Sequence, residues 1–258
     1  MPKPEKTNKN LKVPFDSLTL CAVLTELTPQ IVGGQIQEVR QPTPTEIQFS
    51  VRHQGETYWL VFSVDVRFAR MHRIGVRSAN PPTPPNFCMV LRKYLENGIV
   101  QSVVQRDFDR VVEIGILTKN AEGEATHVTL VGEFMGKHSN LILVRDNGTI
   151  IDAIKRISHR INRVREILPG SPYLSPPPQA DRANPFDFSA LASVAEAFSE
   201  ETALTEATLS ERLMQTFTGL SPFLAREIAL RVLAQSGSLS ENLTAVWIEI
   251  FGATAQGH

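Results

Sequence analysis

Residues 80–98 read NPPTPPNFCMVLRKYLENG, and they set the pattern for the rest of the chain. Pro81, Pro82, Pro84 and Pro85 remove backbone donors and fix φ, so the chain stays extended until Asn86 starts a helix. Phe87, Val90, Leu91, Tyr94 and Leu95 recur at spacings of three and four and make one apolar face, which is core. Arg92 and Lys93 fall off that stripe. They are either a solvated polar face or part of a ligand surface.

On the amino-terminal side, Asp16 precedes an apolar stripe of Leu20, Leu24 and Leu27 and reads as the N-cap of a first helix that ends before Gly33-Gly34. Runs at 35–41, 45–52 and 57–64 alternate or are rich in Ile, Val, Phe, Tyr and Trp, with a turn at Gln54-Gly55, and predict strands. After the helix at 86–97, further strands are predicted at 99–106, 109–118, 126–134, 140–145 and 149–154. Asn147-Gly148 between the last two predicts a type I′ hairpin turn, with positive φ at both positions. The proline density of 169–178 disfavours helix and central strand, which marks a linker or domain edge. Beyond it, stretches near 188–199, 207–217, 222–235 and 240–252 have helical periodicity, broken at Gly219 and Gly237. The turn Thr218-Gly219-Leu220-Ser221-Pro222 is like that of a helix-hairpin-helix module, which can present backbone N–H groups to a phosphate; a plain helix connection fits equally. The expected class is α+β, with a leader at 1–13, a β-rich domain at 14–179 and a small all-α domain at 180–258.

With 42% hydrophobic and 21% charged residues, the 258-residue chain can bury a sizeable core. No apolar run approaches the roughly 20 residues that span a bilayer, so no membrane partner is expected. The start, MPKPEKTNKN, has no apolar h-region and reads as a disordered leader rather than a secretory signal. Two cysteines, Cys21 and Cys88, cannot make a disulfide framework or a four-thiolate zinc site, and they suit a reducing cytoplasm. The six histidines are scattered, and no phosphate loop or dinucleotide fingerprint occurs. No metal, no cofactor and no ATP hydrolysis are expected.

The net charge of -1 conceals an asymmetry: residues 1–179 carry +5 and residues 180–258 carry -6. A polyanion would therefore meet the first part. Lys155, Arg156, Arg160, Arg163 and Arg165 follow one another without an intervening carboxylate. Such crowding is repulsive unless relieved, and a phosphate backbone would relieve it; the bland alternative is a solvated surface. Arg67, Arg70, Arg73 and Arg77, with His72, form a second cluster, and with Arg92-Lys93 the three suggest one positive groove. In QRDFDRVVEI (105–114), Asp109 and Arg110 stand at a strand start, where an Arg fork held by a carboxylate can meet phosphate or a base edge. They could equally make a surface ion pair worth under about 1 kcal/mol.

Four motifs in order carry a resemblance: the 80–98 segment, QRDFDRVVEI, VGEFMGKHSNLILV (131–144) and IDAIKRISHRINRVREILPG (151–170), which leads into SPYLSPPP. Together they resemble the amino-terminal part of the NFACT family, which includes the bacterial RqcH proteins, also called fibronectin-binding protein A homologues, and is similar to eukaryotic NEMF. The match is dense from about Pro14 to Gln179. The resemblance implies an amino-terminal domain like that of formamidopyrimidine glycosylases, β-rich with two helices. It implies transfer RNA recognition by the Asp109-Arg110 pair, with Asp16 matching the family's acidic residue at the first helix. Glu133, Phe134 and Met135 match a functional Glu-apolar-Met segment before Lys137, with Phe where relatives more often carry Ile or Leu. Asp16 also caps its helix, and local turn chemistry alone accounts for Ser139 and Asn140.

The function so implied is a binding module of a ribosome-associated quality-control factor. Family members bind large ribosomal subunits holding peptidyl-tRNA and recruit alanyl-tRNA, so that alanine tails are added to stalled chains while the ribosome forms the bonds. The chain stops before the family's coiled coil and reads as a fragment. Two rival classes are a DNA glycosylase and a fibronectin or fibrinogen adhesin. The former would use an amino-terminal proline followed by Glu, but Pro2 is followed by Lys3. The latter needs an export route that the sequence does not supply.

Overall fold

The computed structural model describes residues 15–120, 122–161, 163, 165–177, 181–198 and 203–252. The expected leader at 1–13, including Pro2 and Lys3, lies outside the described residues. The fold is the expected α+β arrangement, an antiparallel sheet with helices. Helix α1 (Ser17–Ile31) is followed by strands β1 (Gln35–Thr43), β2 (Glu46–His53), β3 (Glu56–Ser63) and β4 (Arg70–Ile74). Helix α2 (Asn86–Leu95) leads to β5 (Ile99–Gln105), β6 (Val111–Lys119), β7 (Ala125–Glu133), β8 (Asn140–Arg145) and β9 (Ile150–Ala153). Helices α3 (Leu191–Glu196), α4 (Glu206–Thr216), α5 (Pro222–Leu233) and α6 (Leu239–Trp247) complete it. Among the described residues no helix is long and apolar enough to cross a membrane.

The nine strands run in the order β4-β3-β2-β1-β5-β6-β7-β8-β9. Strands β1 and β5 are in register at one residue pair, Gln35 with Ile99, flanked by backbone hydrogen bonds from Ile36 N–H to Gly98 C=O at 2.8 Å and from Val100 N–H to Gly34 C=O at 2.9 Å, so the sheet narrows there between two halves. Both halves turn one face to a shared core. Strand alternation places Ile47, Phe49 and Val51 of β2 on that face, with Ile114 and Ile116 of β6, and α1 and α2 contribute Leu20, Leu24, Leu27, Leu91 and Leu95. The hairpin at Gln54-Gly55 has φ of 48° and 85°, the left-handed pair of a type I′ turn.

The turn at Asn147-Gly148 departs from expectation. Only Gly148 has positive φ, at 79°, and Gly148 N–H donates to Arg145 C=O at 2.9 Å while Arg145 N–H donates to Thr149 C=O at 2.9 Å. The loop is therefore one residue longer than a type I′ turn, with glycine closing it. Strand β4 is an addition to the expected strands, since its sequence RMHRI reads as part of a cluster of cations. Met71, its second residue, enters the core.

A second apolar cluster covers the other face of β6–β9. Val131, Ile142, Val144 and Ile150 are buried there under Ile167, with Ile157 and Tyr173 packed against them. The proline-dense segment is consequently no free linker at its start: Ile150 N–H donates to Ser171 C=O at 2.9 Å and Tyr173 N–H to Gly148 C=O at 2.8 Å. The helices α3–α6 enclose a third cluster around Trp247, Phe217 and Phe251, to which Cys21 of α1 and Phe108 of the β5–β6 turn also belong.

Candidate nucleic-acid interface

The β5–β6 turn is forced into shape by two consecutive left-handed residues, Asp107 at φ 49° and Phe108 at φ 51°. Holding two non-glycine residues there is strained, and the surroundings must compensate. Phe108 does so by packing edge-to-face on Phe186 and Phe251, with centroids 5.2 and 5.9 Å away. Its carbonyl lies so close to Gly219 that a Cβ there would meet the oxygen at 2.3 Å. Gly219, at φ 73°, is thus required twice, by its conformation and by the approach of the β5–β6 turn.

This contact brings the amino termini of α1 and α5 together. Asp16 Oδ1 accepts from Thr19 N–H at 3.0 Å and Thr19 Oγ1 at 2.9 Å, which caps α1. Ser221 Oγ accepts from Leu224 N–H at 3.0 Å to cap α5, and donates its own proton to Asp16 Oδ2 at 2.7 Å. One buried carboxylate therefore faces the positive ends of two helices, an arrangement that stabilises its charge. Arg110 and Asp109 line the same cleft, of about 190 Å³, with Ser17 and Gly219–Pro222.

Asp109 and Arg110 make neither of the pairings expected of them. Asp109 Oδ1 accepts from Arg110 N–H at 2.7 Å, and Arg110 C=O accepts from Phe134 N–H at 2.9 Å. Among the described residues no hydrogen bond or ion pair engages the Arg110 guanidinium, and the side chain is only half buried. A free planar fork beside two carboxylates and a helix start suits a ligand that offers acceptors to Arg110 and donors to the carboxylates. A base edge or ribose beside a phosphate has that mixture; a bare phosphate does not.

The structure reassigns most of the other candidates. Glu133 is 1% exposed and forms a two-pronged ion pair with Arg165, itself 11% exposed, with Nη1 to Oε2 at 2.8 Å and Nη2 bonded to Oε1. Tyr173 Oη donates to Glu133 Oε1 at 3.0 Å. Burial opposes the Arg165 charge, but Glu133 outweighs it and holds the guanidinium above its usual range. Burial first, and then the Glu133 charge, raise the Tyr173 phenol and keep it neutral. Phe134 is core, edge-to-face with Phe15 at 5.8 Å, and Met135 is half buried against the second cluster. Glu133, with Arg165 and Tyr173, fastens the 165–173 segment to the sheet, while Phe134 serves the main core.

The crowding of residues 155–165 is relieved from within. Lys155 Nζ donates to Val64 C=O at 2.6 Å and Ser139 C=O at 3.0 Å, and burial lowers its pKa against the pull of Asp65. Arg156 makes two 2.9 Å bonds to Asp152. Arg160 and Arg163 are left exposed on the excursion between Ile157 and Ile167. Lys137 is exposed on a 3-10 turn (Gly136–His138) that follows β7 at the Arg110 end.

Nor do all the cations share a groove. Arg92 Nε donates to Val39 C=O at 3.0 Å, with Glu96 3.9 Å away. Lys93 lines a cavity with Lys119, the last residue of β6, whereas Arg110 precedes its first residue. Nine strand steps separate those ends by about 30 Å. The cluster on and around β4 lies on the free edge of the sheet: Arg73 stacks on Tyr58 at 5.1 Å, and Arg40 and Arg77 approach the Trp59 ring at 5.3 and 5.7 Å. The single positive groove is therefore resolved into separate patches: the cleft at Arg110 keeps Asp16, Asp109 and Arg110, Lys137 follows β7 at the same end of the sheet, and Arg160 and Arg163 stay on their own excursion.

Ser221 is the residue that sequence reasoning missed. Its position before a proline at the first turn of a helix signals a cap, but no local pattern shows its bond to a residue 205 positions away.

Comparison with known proteins agrees with this architecture. The family described as "NFACT N-terminal and middle domains" matches residues 16–256. The protein named "Rqc2 homolog RqcH" from Bacillus subtilis (strain 168) is 32% identical over 92% of this chain and 41% of its own length. The protein of the same name from Streptococcus suis (strain 05ZYH33) is 35% identical over 83% of this chain and 38% of its own. The chain thus spans about two fifths of the length of the curated relatives it matches. The solved N-terminal domain of fibronectin-binding protein PavA from Streptococcus pneumoniae superposes with a TM-score of 0.78 at 34% identity, over 90% of this chain and 82% of that one. The N-terminal structure of the fibronectin/fibrinogen-binding protein from Streptococcus suis gives 0.78 at 33% identity, over 91% and 84%. With a family match over nearly its whole length and relatives above 30% identity, this chain belongs to the NFACT family.

Proposed function

We propose that this chain is the part of a ribosome-associated quality-control factor that contacts transfer RNA and the large ribosomal subunit, recruiting alanyl-tRNA for alanine tailing of stalled chains. The supporting observation is the unengaged Arg110 guanidinium in a cleft built from two capped helix starts, with Lys137 exposed at the same end of the sheet. Peptide bonds are left to the ribosome, so the chain acts as a cytoplasmic binding module and not as an enzyme. Purification at moderate salt followed by sequencing of the bound nucleic acid tests this. Enrichment of tRNA supports it, and absence of RNA contradicts it.

The names of the PavA and Streptococcus suis neighbours motivate a second reading, fibronectin binding by this chain. Immobilised fibronectin retaining the chain in the presence of excess tRNA would favour it.

A further inference from the structure

At the far end of β6–β8 from Arg110 lies a larger cavity, of about 690 Å³. That size falls within the roughly 300–1,000 Å³ of ligand sites. Lys93 and Tyr94 enter from the last turn of α2, Lys119 from the end of β6 and Arg145 from the end of β8. Three elements distant in sequence thus deliver a cation each to one concavity. Lys93 Nζ lies 5.4 Å and Arg145 Cζ 5.7 Å from the centroid of the Tyr94 ring, and Arg145 Nη2 donates to Tyr94 Oη at 3.4 Å. One aromatic ring thus has two like charges beside it, and an anion between them would relieve their mutual repulsion.

No direct ion pair supplies that anion among the described residues. Glu122 and Asp146 also line the cavity, but among the described residues neither forms an ion pair with Lys93, Lys119 or Arg145. This contrasts with Arg156 and Arg165, whose partners are in place. The helix dipole accounts for a lysine at the end of α2, but it gives no reason for Lys119 and Arg145 to face the same space.

We infer that this cavity is a second RNA-backbone site, in which Lys93, Lys119 and Arg145 bind phosphates about 30 Å along the sheet from the Arg110 cleft. The inference rests on the RNA-binding reading above and extends it: the chain spans one folded RNA at two points. The Arg110 end, with its carboxylates, reads nucleotides; the far end, with unpaired cations, adds affinity that salt removes.

Titration of unfractionated bacterial tRNA against the wild-type chain and Lys119→Glu/Arg145→Glu, from 50 to 200 mM KCl, tests it. Each phosphate contact contributes about 0.7–0.9 to the slope of log Kobs against log salt, so losing two makes the slope shallower by about 1.4–1.8 and weakens binding roughly tenfold at the low-salt end. Both residues are exposed, so the melting temperature should not change, and Lys93→Glu provides an independent variant with the same expected direction. Wild-type binding with an unaltered slope and affinity in the variants would overturn the second site while leaving the Arg110 reading intact. Unaltered tRNA binding together with lost binding of poly-glutamate would overturn it in favour of an acidic protein partner. No tRNA binding by the wild type would overturn both readings.

Discussion

Replacing Arg165 should unfold the protein rather than impair a surface. Its guanidinium meets Glu133 through two parallel bonds, with side-chain exposures of 11% and 1%, and Tyr173 supplies a third bond to the same carboxylate. Arg165→Ala leaves Glu133 charged and buried with one phenol as partner. Breaking a buried pair in this way costs about 3–5 kcal/mol. At about 2–4 °C per kcal/mol for chains near this size, the melting temperature should fall by roughly 6–20 °C. Tyr173→Phe removes one bond to a charged group and should cost about 1.5–3 kcal/mol. The volume-matched Glu133→Leu/Arg165→Met pair should recover most of the loss, since apolar replacement of both partners is often neutral. Urea denaturation and thermal melting measure all three, with tRNA titration in parallel. An Arg165→Ala protein of wild-type stability but reduced tRNA affinity would refute the reasoning and return Arg165 to the RNA surface.

Two other perturbations follow from the same geometry. Gly219→Ala puts a Cβ 2.3 Å from the Phe108 carbonyl and forces a left-handed alanine, so it should lower stability by at least about 1–3 kcal/mol, read as a lower urea midpoint. A wild-type midpoint would show that the β5–β6 turn and the α4–α5 turn do not press together. Burial, and then the Arg70 charge, hold the His72 imidazole below its ordinary value, against Glu46. The unfolded chain then binds that proton more tightly, so the contribution is fully present above the unfolded value of about 6.5 and is lost as pH falls through the folded pKa. Urea midpoints of the wild type and His72→Gln should therefore converge between pH 7.5 and 5, and a gap independent of pH would contradict this.

Local signals carried most of the fold. Proline density placed the start of α2 at Asn86, Asp16 marked the start of α1, and period-two alternation gave eight of the nine strands. Strand β4 escaped because its two apolar residues, Met71 and Ile74, are three apart and make no period-two alternation to outweigh the charges. The candidate site was legible in part. Asp16, Asp109 and Arg110 do share a cleft, but charge along the chain does not reveal which cations find partners. Arg156 is paired with a residue four positions earlier, whereas Arg165 reaches Glu133 across 32 positions and Lys155 reaches Val64 across 91. Burial of the Glu133–Arg165 pair depends on the 165–173 segment folding over the sheet, and proline content presented the stretch from 169 onward as a linker.

The free Arg110 guanidinium is the centre of the account, and tRNA affinity of Arg110→Ala beside the wild type measures it most directly. With no partner among the described residues to lose, the variant should keep its melting temperature while its tRNA affinity falls about tenfold or more, the worth of one charge-assisted contact of about 1.5–3 kcal/mol. Equal affinities at equal stability would contradict it and remove the cleft from the RNA interface.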